Sequence, residues 1–95
     1  MADVKIYTRE ACGYCTAALR LLKEKGVQFV LIDCTGDHTT RRWLAEVTGQ
    51  STVPQIFING RPVGGYTDIR ALDMRGELDR LLAEPGSGQV SSSSG

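Results

Sequence analysis

Phe29-Val30-Leu31-Ile32 is an unbroken apolar run closed by Asp33, and it directly follows a stretch with helical period. Upstream, Val4-Lys5-Ile6-Tyr7 alternates as a short strand does. Between them Cys15, Ala18, Leu19 and Leu22 fall at i, i+3, i+4 and i+7, one face of a helix. Thr16, Arg20, Lys23 and Glu24 take the other face, and Lys25-Gly26 is a good helix stop. Residues 4–33 therefore read strand, helix, strand. That is a βαβ unit, which demands a parallel strand pair and a right-handed crossover. The continuous run at 29–32 suits a strand covered on both faces.

The remainder extends this unit. Asp37 can cap a second helix in which Trp43, Leu44 and Val47 share a face, and Gly49 can stop it. Val53-Pro54-Gln55-Ile56-Phe57-Ile58 is joined through Asn59-Gly60 to Arg61-Pro62-Val63, a strong hairpin signal. Pro62 cannot donate to a ladder, so its strand is expected at an edge. Gly64-Gly65 ends the hairpin. Helix returns from Thr67, with Ile69 and Leu72 inward, an interruption at Gly76, and Leu78, Leu81 and Leu82 continuing the apolar face. The expected order is β-α-β-α-β-β-α: an α/β domain with a four-stranded mixed sheet flanked by helices. It spans 1–84, and the Gly/Ser-rich stretch 85–95 reads as a disordered tail.

Composition narrows the function. Eleven acidic residues balance eleven basic ones, which argues against a nucleic-acid binder. No run of about 18 apolar residues offers a membrane span. MADVKIYTRE lacks the long apolar stretch of a secretory leader, so a cytoplasmic protein is expected. The three cysteines are an odd number, unlike a secreted disulfide scaffold. In a reducing compartment a close pair is catalytic or metal-binding more often than structural.

Cys12-Gly13-Tyr14-Cys15 is that pair. One reading adds Cys34 and His38 to make a closed zinc site of three sulfurs and an imidazole. Against it, the pair opens a long amphipathic helix rather than a tight turn. Cys15 alone could be a buried small hydrophobe. That does not explain Cys12, which precedes the apolar face. The redox reading uses both. Unpaired N–H groups and partial positive charge at a helix start stabilise a thiolate. Cys12 is placed to be the exposed nucleophile, with Arg9 adding fixed positive charge. Cys15, one turn on, is the buried resolving thiol, and Gly13 and Tyr14 form the hinge between them.

With C-G-Y-C on a βαβ unit, T-V-P before a hairpin and G-G-Y-T-D at a helix start, the chain resembles a glutaredoxin of the dithiol class over residues 3–83. The resemblance implies a thioredoxin-like fold and a glutathione-dependent thiol–disulfide oxidoreductase. Glutathione is then the co-substrate, and glutathionylated or disulfide-containing proteins are the partners. The resemblance implies a cis proline at Pro54, and a Thr52-Val53-Pro54 turn whose Val53 backbone pairs with the cysteinyl part of glutathione, as an added strand does. Gly64-Gly65 lets the ligand approach, and the helix start at Thr67 receives the γ-glutamyl carboxylate. Asp68 pairs with the γ-glutamyl amine. Arg41 matches a position that contacts the glycine carboxylate, Arg9 one that is commonly lysine, and Tyr14 packs beside the sulfur. Thr67 and Asp68 would equally serve as helix caps, and Arg41 and Arg42 as a solvated helix face. The commonest dithiol members have Pro in place of Gly13. Members with Gly or Ser there can hold a [2Fe–2S] cluster, to which Cys12 of two subunits and two glutathiones supply four ligands. No metal is required for the redox chemistry. A monomer is expected for it, a dimer only with the cluster. Cys34 reads as structural, with a regulatory thiol near the site rim as the alternative.

Overall fold

The computed structural model describes residues 1–86. The chain runs β1 (Val4–Thr8), α1 (Gly13–Glu24), β2 (Val30–Asp33), α2 (His38–Thr48), β3 (Gln55–Ile58), β4 (Arg61–Gly64), α3 (Tyr66–Met74) and α4 (Glu77–Ala83). The strands form one sheet in the order β2-β1-β3-β4. β1 and β2 are parallel, while β1–β3 and β3–β4 are antiparallel. The result is a mixed four-stranded sheet flanked by helices.

Strand alternation sends side chains to two different cores. Val4, Ile6, Ile56 and Ile58 pack with Ala18 and Leu22 of α1, Ile69 of α3, and Leu78 and Leu82 of α4. The opposite face carries Phe57 against Leu44 of α2 and Cys34, with Tyr7 and Val53 beside them. Leu22 is wholly buried, and truncating such a leucine costs about 2–5 kcal/mol. Lys25 caps α1 and makes ion pairs with Asp73 of α3 and, at 2.9 Å, with Asp79 of α4. Those contacts fasten the end of α1 to both closing helices.

Local signals produced the elements they forecast. Asp37 accepts from the Thr40 N–H at 3.0 Å, and Gly49 closes α2 at φ 74°. Asn59 and Gly60 both take positive φ (53° and 78°), the requirement of a tight hairpin turn. Pro62 lies on the edge strand β4.

Three expectations are corrected. β2 is not covered on both faces. It is the other edge strand, with Val30 and Leu31 55% and 47% exposed, and the strand buried throughout is β3. A short apolar run reads alike in either position, and the sheet order decides. On α2 only Leu44 is buried, while Trp43 and Val47 are exposed, because this one helix covers just part of its face. A groove of about 880 Å³, lined by Lys5, Tyr7, Trp43 and Phe57 among others, is left on that side. The last helical stretch is two helices, since Gly76 at φ 74° breaks the backbone between α3 and α4.

The expected tail lies mostly at 87–95, outside the described residues. The Pro85 carbonyl accepts from Asn59 Nδ2 at 2.9 Å, and Gly86 is buried. Among the described residues, no helix is long and apolar enough to cross a membrane.

Candidate active site

β1 ends at the buried Thr8, and the chain must then turn into α1. Ala11 makes the turn in the left-handed region at φ 56°, unusual for a residue with a side chain. This delivers Cys12 as the N-cap of α1 in extended conformation. The Cys15 N–H donates to Cys12 Sγ at 3.2 Å, so the sulfur takes the place of a capping oxygen. No acidic residue occupies the first turn to compete for those N–H groups. On its other side Cys12 Sγ donates to the Val53 carbonyl at 3.7 Å.

The two thiols differ sharply. Cys12 is half-buried and Cys15 only 3% exposed. Burial, with Cys12 as hydrogen-bonding neighbour, pushes the Cys15 thiol up to about 11, against a weaker opposing influence from Arg9. Cys15 therefore stays protonated near neutrality. Both thiols are free in this structure.

The residues expected around them form one rim. The Val53–Pro54 bond is cis, and Val53 meets Cys12. Gly65 lies against Pro54: a Cβ there would come within 3.1 Å of the Pro54 carbonyl oxygen. The Gly65 N–H donates to Asp68 Oδ2 at 2.9 Å, which ties Asp68 to the start of α3. Thr67 is exposed in the same first turn. Tyr66 closes the rim against the exposed Tyr14, ring centroids 6.3 Å apart.

The arginines divide. Arg41 reaches the loop before Pro54, its guanidinium donating to the Ser51 carbonyl at 3.0 Å. It is thus more than a solvated helix face. Arg9 is exposed and donates to the Glu10 carbonyl at 3.4 Å. Arg42 is exposed on α2.

Cys34 lies beneath the Val53 side of the site, in the core rather than on the rim. It is fully buried against Leu44 and Phe57, and burial raises its thiol above the ordinary range. Among the described residues no group of three or more His, Cys, Asp or Glu side chains could hold a metal ion, so the zinc arrangement with His38 is not assembled.

Gln55 is the residue that sequence reasoning missed. It is 1% exposed, and its Nε2 donates to the Thr52 carbonyl and to Gln50 Oε1, each at 2.9 Å. A glutamine heading an otherwise apolar strand, right after Pro54, was the available signal.

The comparisons agree with this geometry. The sequence profile of the glutaredoxin family matches residues 4–63. Glutaredoxin 3 of Escherichia coli strain K12 is 48% identical over 82 residues, 86% of this chain and 99% of that protein. The solution structure of a glutaredoxin from Brucella melitensis is 44% identical with a TM-score of 0.80, covering 93% of this chain and 92% of that one. A crystal structure of a buckwheat glutaredoxin–glutathione complex is 26% identical with a TM-score of 0.81, covering 85% of this chain and 76% of that one. A paired-thiol helix cap, a neighbouring cis-proline turn and these likenesses lead to one assignment: the chain belongs to the glutaredoxin family.

Proposed function

We propose that this thiol–disulfide oxidoreductase is of the dithiol class and uses glutathione to reduce protein–glutathione mixed disulfides and protein disulfides. The observation that carries the reading is Cys12 Sγ set between the Cys15 N–H and the Val53 carbonyl. One side offers the sulfur a backbone donor, and the other is backbone that an extended peptide can pair with. The glutathione bound to the buckwheat relative supports the same co-substrate here.

In the first step the Cys12 thiolate attacks the glutathione sulfur of the mixed disulfide. That S–S bond breaks, a Cys12–glutathione disulfide forms, and the protein thiolate leaves and takes up a proton. A second glutathione, as thiolate, attacks the glutathione sulfur held on Cys12. Oxidised glutathione leaves, and Cys12 is again a thiolate. During this cycle the Val53 backbone, the start of α3 at Thr67, the Asp68 carboxylate, Arg41 and Arg9 seat the tripeptide, with Thr52, Pro54 and Gly65 shaping the cleft and Tyr14 beside the sulfur. With a protein disulfide as substrate, Cys12 attacks first and one substrate thiolate leaves. Cys15 then attacks Cys12, and a Cys12–Cys15 bond forms as the second substrate sulfur leaves with the Cys15 proton. Two glutathiones reduce that bond and leave as oxidised glutathione. We place this chemistry in the cytoplasm, on a monomer, with no nucleic acid or membrane as partner.

The test is reduction of a glutathionylated peptide by glutathione. Wild type and Cys15→Ser should turn over, and Cys12→Ser should be inactive. An inactive wild type would sink the proposal.

A second reading rests on Gly13, where a Cβ would meet nothing within 4 Å. Open space beside the nucleophile suits a dimer holding a [2Fe–2S] cluster, with Cys12 as this chain's ligand and two glutathiones completing the set. The cluster would supply scaffold or sensor chemistry. Anaerobic reconstitution followed by visible absorbance and sedimentation tests it. A colourless monomer removes it.

A further inference from the structure

Residues 51–53 lie between α2 and β3 and belong to no helix or strand, so no ladder holds their backbone. Side chains hold it instead. The Ser51 carbonyl accepts from Arg41 of α2, the Thr52 carbonyl from Gln55 of β3, and the Val53 carbonyl from Cys12 at the cap of α1. Three consecutive carbonyls are thus held from three directions.

The three anchors differ in how long they last through the proposed cycle. As the attacking thiolate, and again once it carries glutathione, Cys12 has no S–H to give Val53. If Arg41 turns to a carboxylate of the tripeptide, Ser51 loses its partner. Gln55 touches neither sulfur nor ligand in that scheme, and its amide is shut off from bulk solvent. Its orientation is not free. The Thr52 carbonyl only accepts, so Nε2 must face it. Gln50 Oε1 takes the second Nε2 proton, leaving Gln55 Oε1 with no partner among the described residues.

We infer that Gln55 is the positioning residue that keeps the Val53 backbone at glutathione-pairing height throughout turnover, by holding the adjoining Thr52 carbonyl. The inference rests on the glutathione reading above. Its loss would weaken recognition of the glutathione cap while leaving thiol exchange itself intact.

The experiment compares one peptide blocked in two ways, as a mixed disulfide with glutathione and with cysteamine. Cysteamine offers the same disulfide but no peptide to pair with Val53. Wild type should favour the glutathione-capped form. Gln55→Met, close in shape but without a donor, should lose about tenfold of that preference through KM, the worth of roughly one buried hydrogen bond. Its turnover of the cysteamine-capped peptide should stay within about twofold, since Cys12 keeps its helix cap. Equal losses on both substrates would make Gln55 merely structural, and an unchanged preference would also overturn the inference. If wild type shows no preference, the glutathione reading fails and takes this inference with it.

A second measurement does not depend on the variant folding. By NMR, the Gln55 side-chain amide should be protected from hydrogen exchange in the reduced protein. The same protection should hold in Cys15→Ser protein carrying glutathione on Cys12. Protection lost on glutathionylation would show that the anchor releases, contrary to the inference.

Discussion

The backbone N–H of Cys15 points at the sulfur of Cys12 from 3.2 Å, while the thiol of Cys15 itself is buried beneath. One residue thus serves its partner twice, through its amide in every turnover and through its sulfur only when a protein disulfide must be resolved.

Separate substitutions should split these services. Cys12→Ser should lower reduction of a glutathionylated peptide by three or more orders of magnitude, on the order of what loss of a nucleophile costs. Cys15→Ser keeps the amide, so it should retain most of that activity yet fail to release a protein disulfide trapped on Cys12. Steady-state assays with both substrate types check this. An inactive Cys15→Ser on the glutathionylated peptide would contradict the division.

Cys15 also sets a pH dependence. Its thiol is raised to about 11, chiefly by burial. Thiolate absorbance of the reduced protein should show a step near 11 that disappears in Cys15→Ser. The folded state holds this proton more tightly than the unfolded chain does. The resulting stability is fully present below the ordinary thiol range and is lost as pH rises through about 11. Denaturation midpoints of wild type should therefore fall more steeply than those of Cys15→Ser in strongly alkaline buffer.

Gly64→Ala should be the most damaging of the glycine substitutions around the site. Gly64 sits at φ 105°, and an added Cβ would lie 2.6 Å from Asp68 Cγ. Backbone strain and displacement of Asp68 together should cost about 2 kcal/mol or more and raise KM for the glutathionylated peptide. Gly65→Ala meets only the Pro54 carbonyl oxygen at 3.1 Å and should be milder. Thermal melts beside KM measurements would rank the two.

Arg41→Met should raise KM for the glutathionylated peptide by roughly three- to tenfold with kcat little changed, the pattern of a lost binding contact. The effect should shrink at high salt, where the wild-type guanidinium is already screened. A salt-independent change would point to the Ser51 carbonyl alone.

Much of the fold was legible because its signals are local. The turn at Asn59-Gly60 needs two positive φ angles, and the bracket of α2 needs Asp37 and Gly49. Both requirements are met by the residues in place. What depends on sheet order was not legible. Phe29–Ile32 looked like an inner strand, but only the β2-β1-β3-β4 arrangement determines that β2 is an edge. Trp43 and Val47 share a helical side with Leu44 yet stay exposed, since among the described residues no other helix contributes to the cluster that Leu44 joins. At the site, Cys12, Val53, Pro54, Gly65 and Asp68 are brought together as their motifs suggested. The partners of Arg41 and Gln55 are carbonyls of a loop, and a carbonyl has no letter in a sequence.

Trp43 is the single tryptophan of the chain, stacked on Phe57 at 17° with the Tyr7 ring tilted against it. Its fluorescence is therefore a reporter of one place. The emission follows the seating of α2 on the sheet, across the sheet from α1. Quenching and wavelength shifts during denaturation will register when that helix lifts, and an optical unfolding curve should be paired with a probe on the α1 side before it is taken to describe the whole molecule.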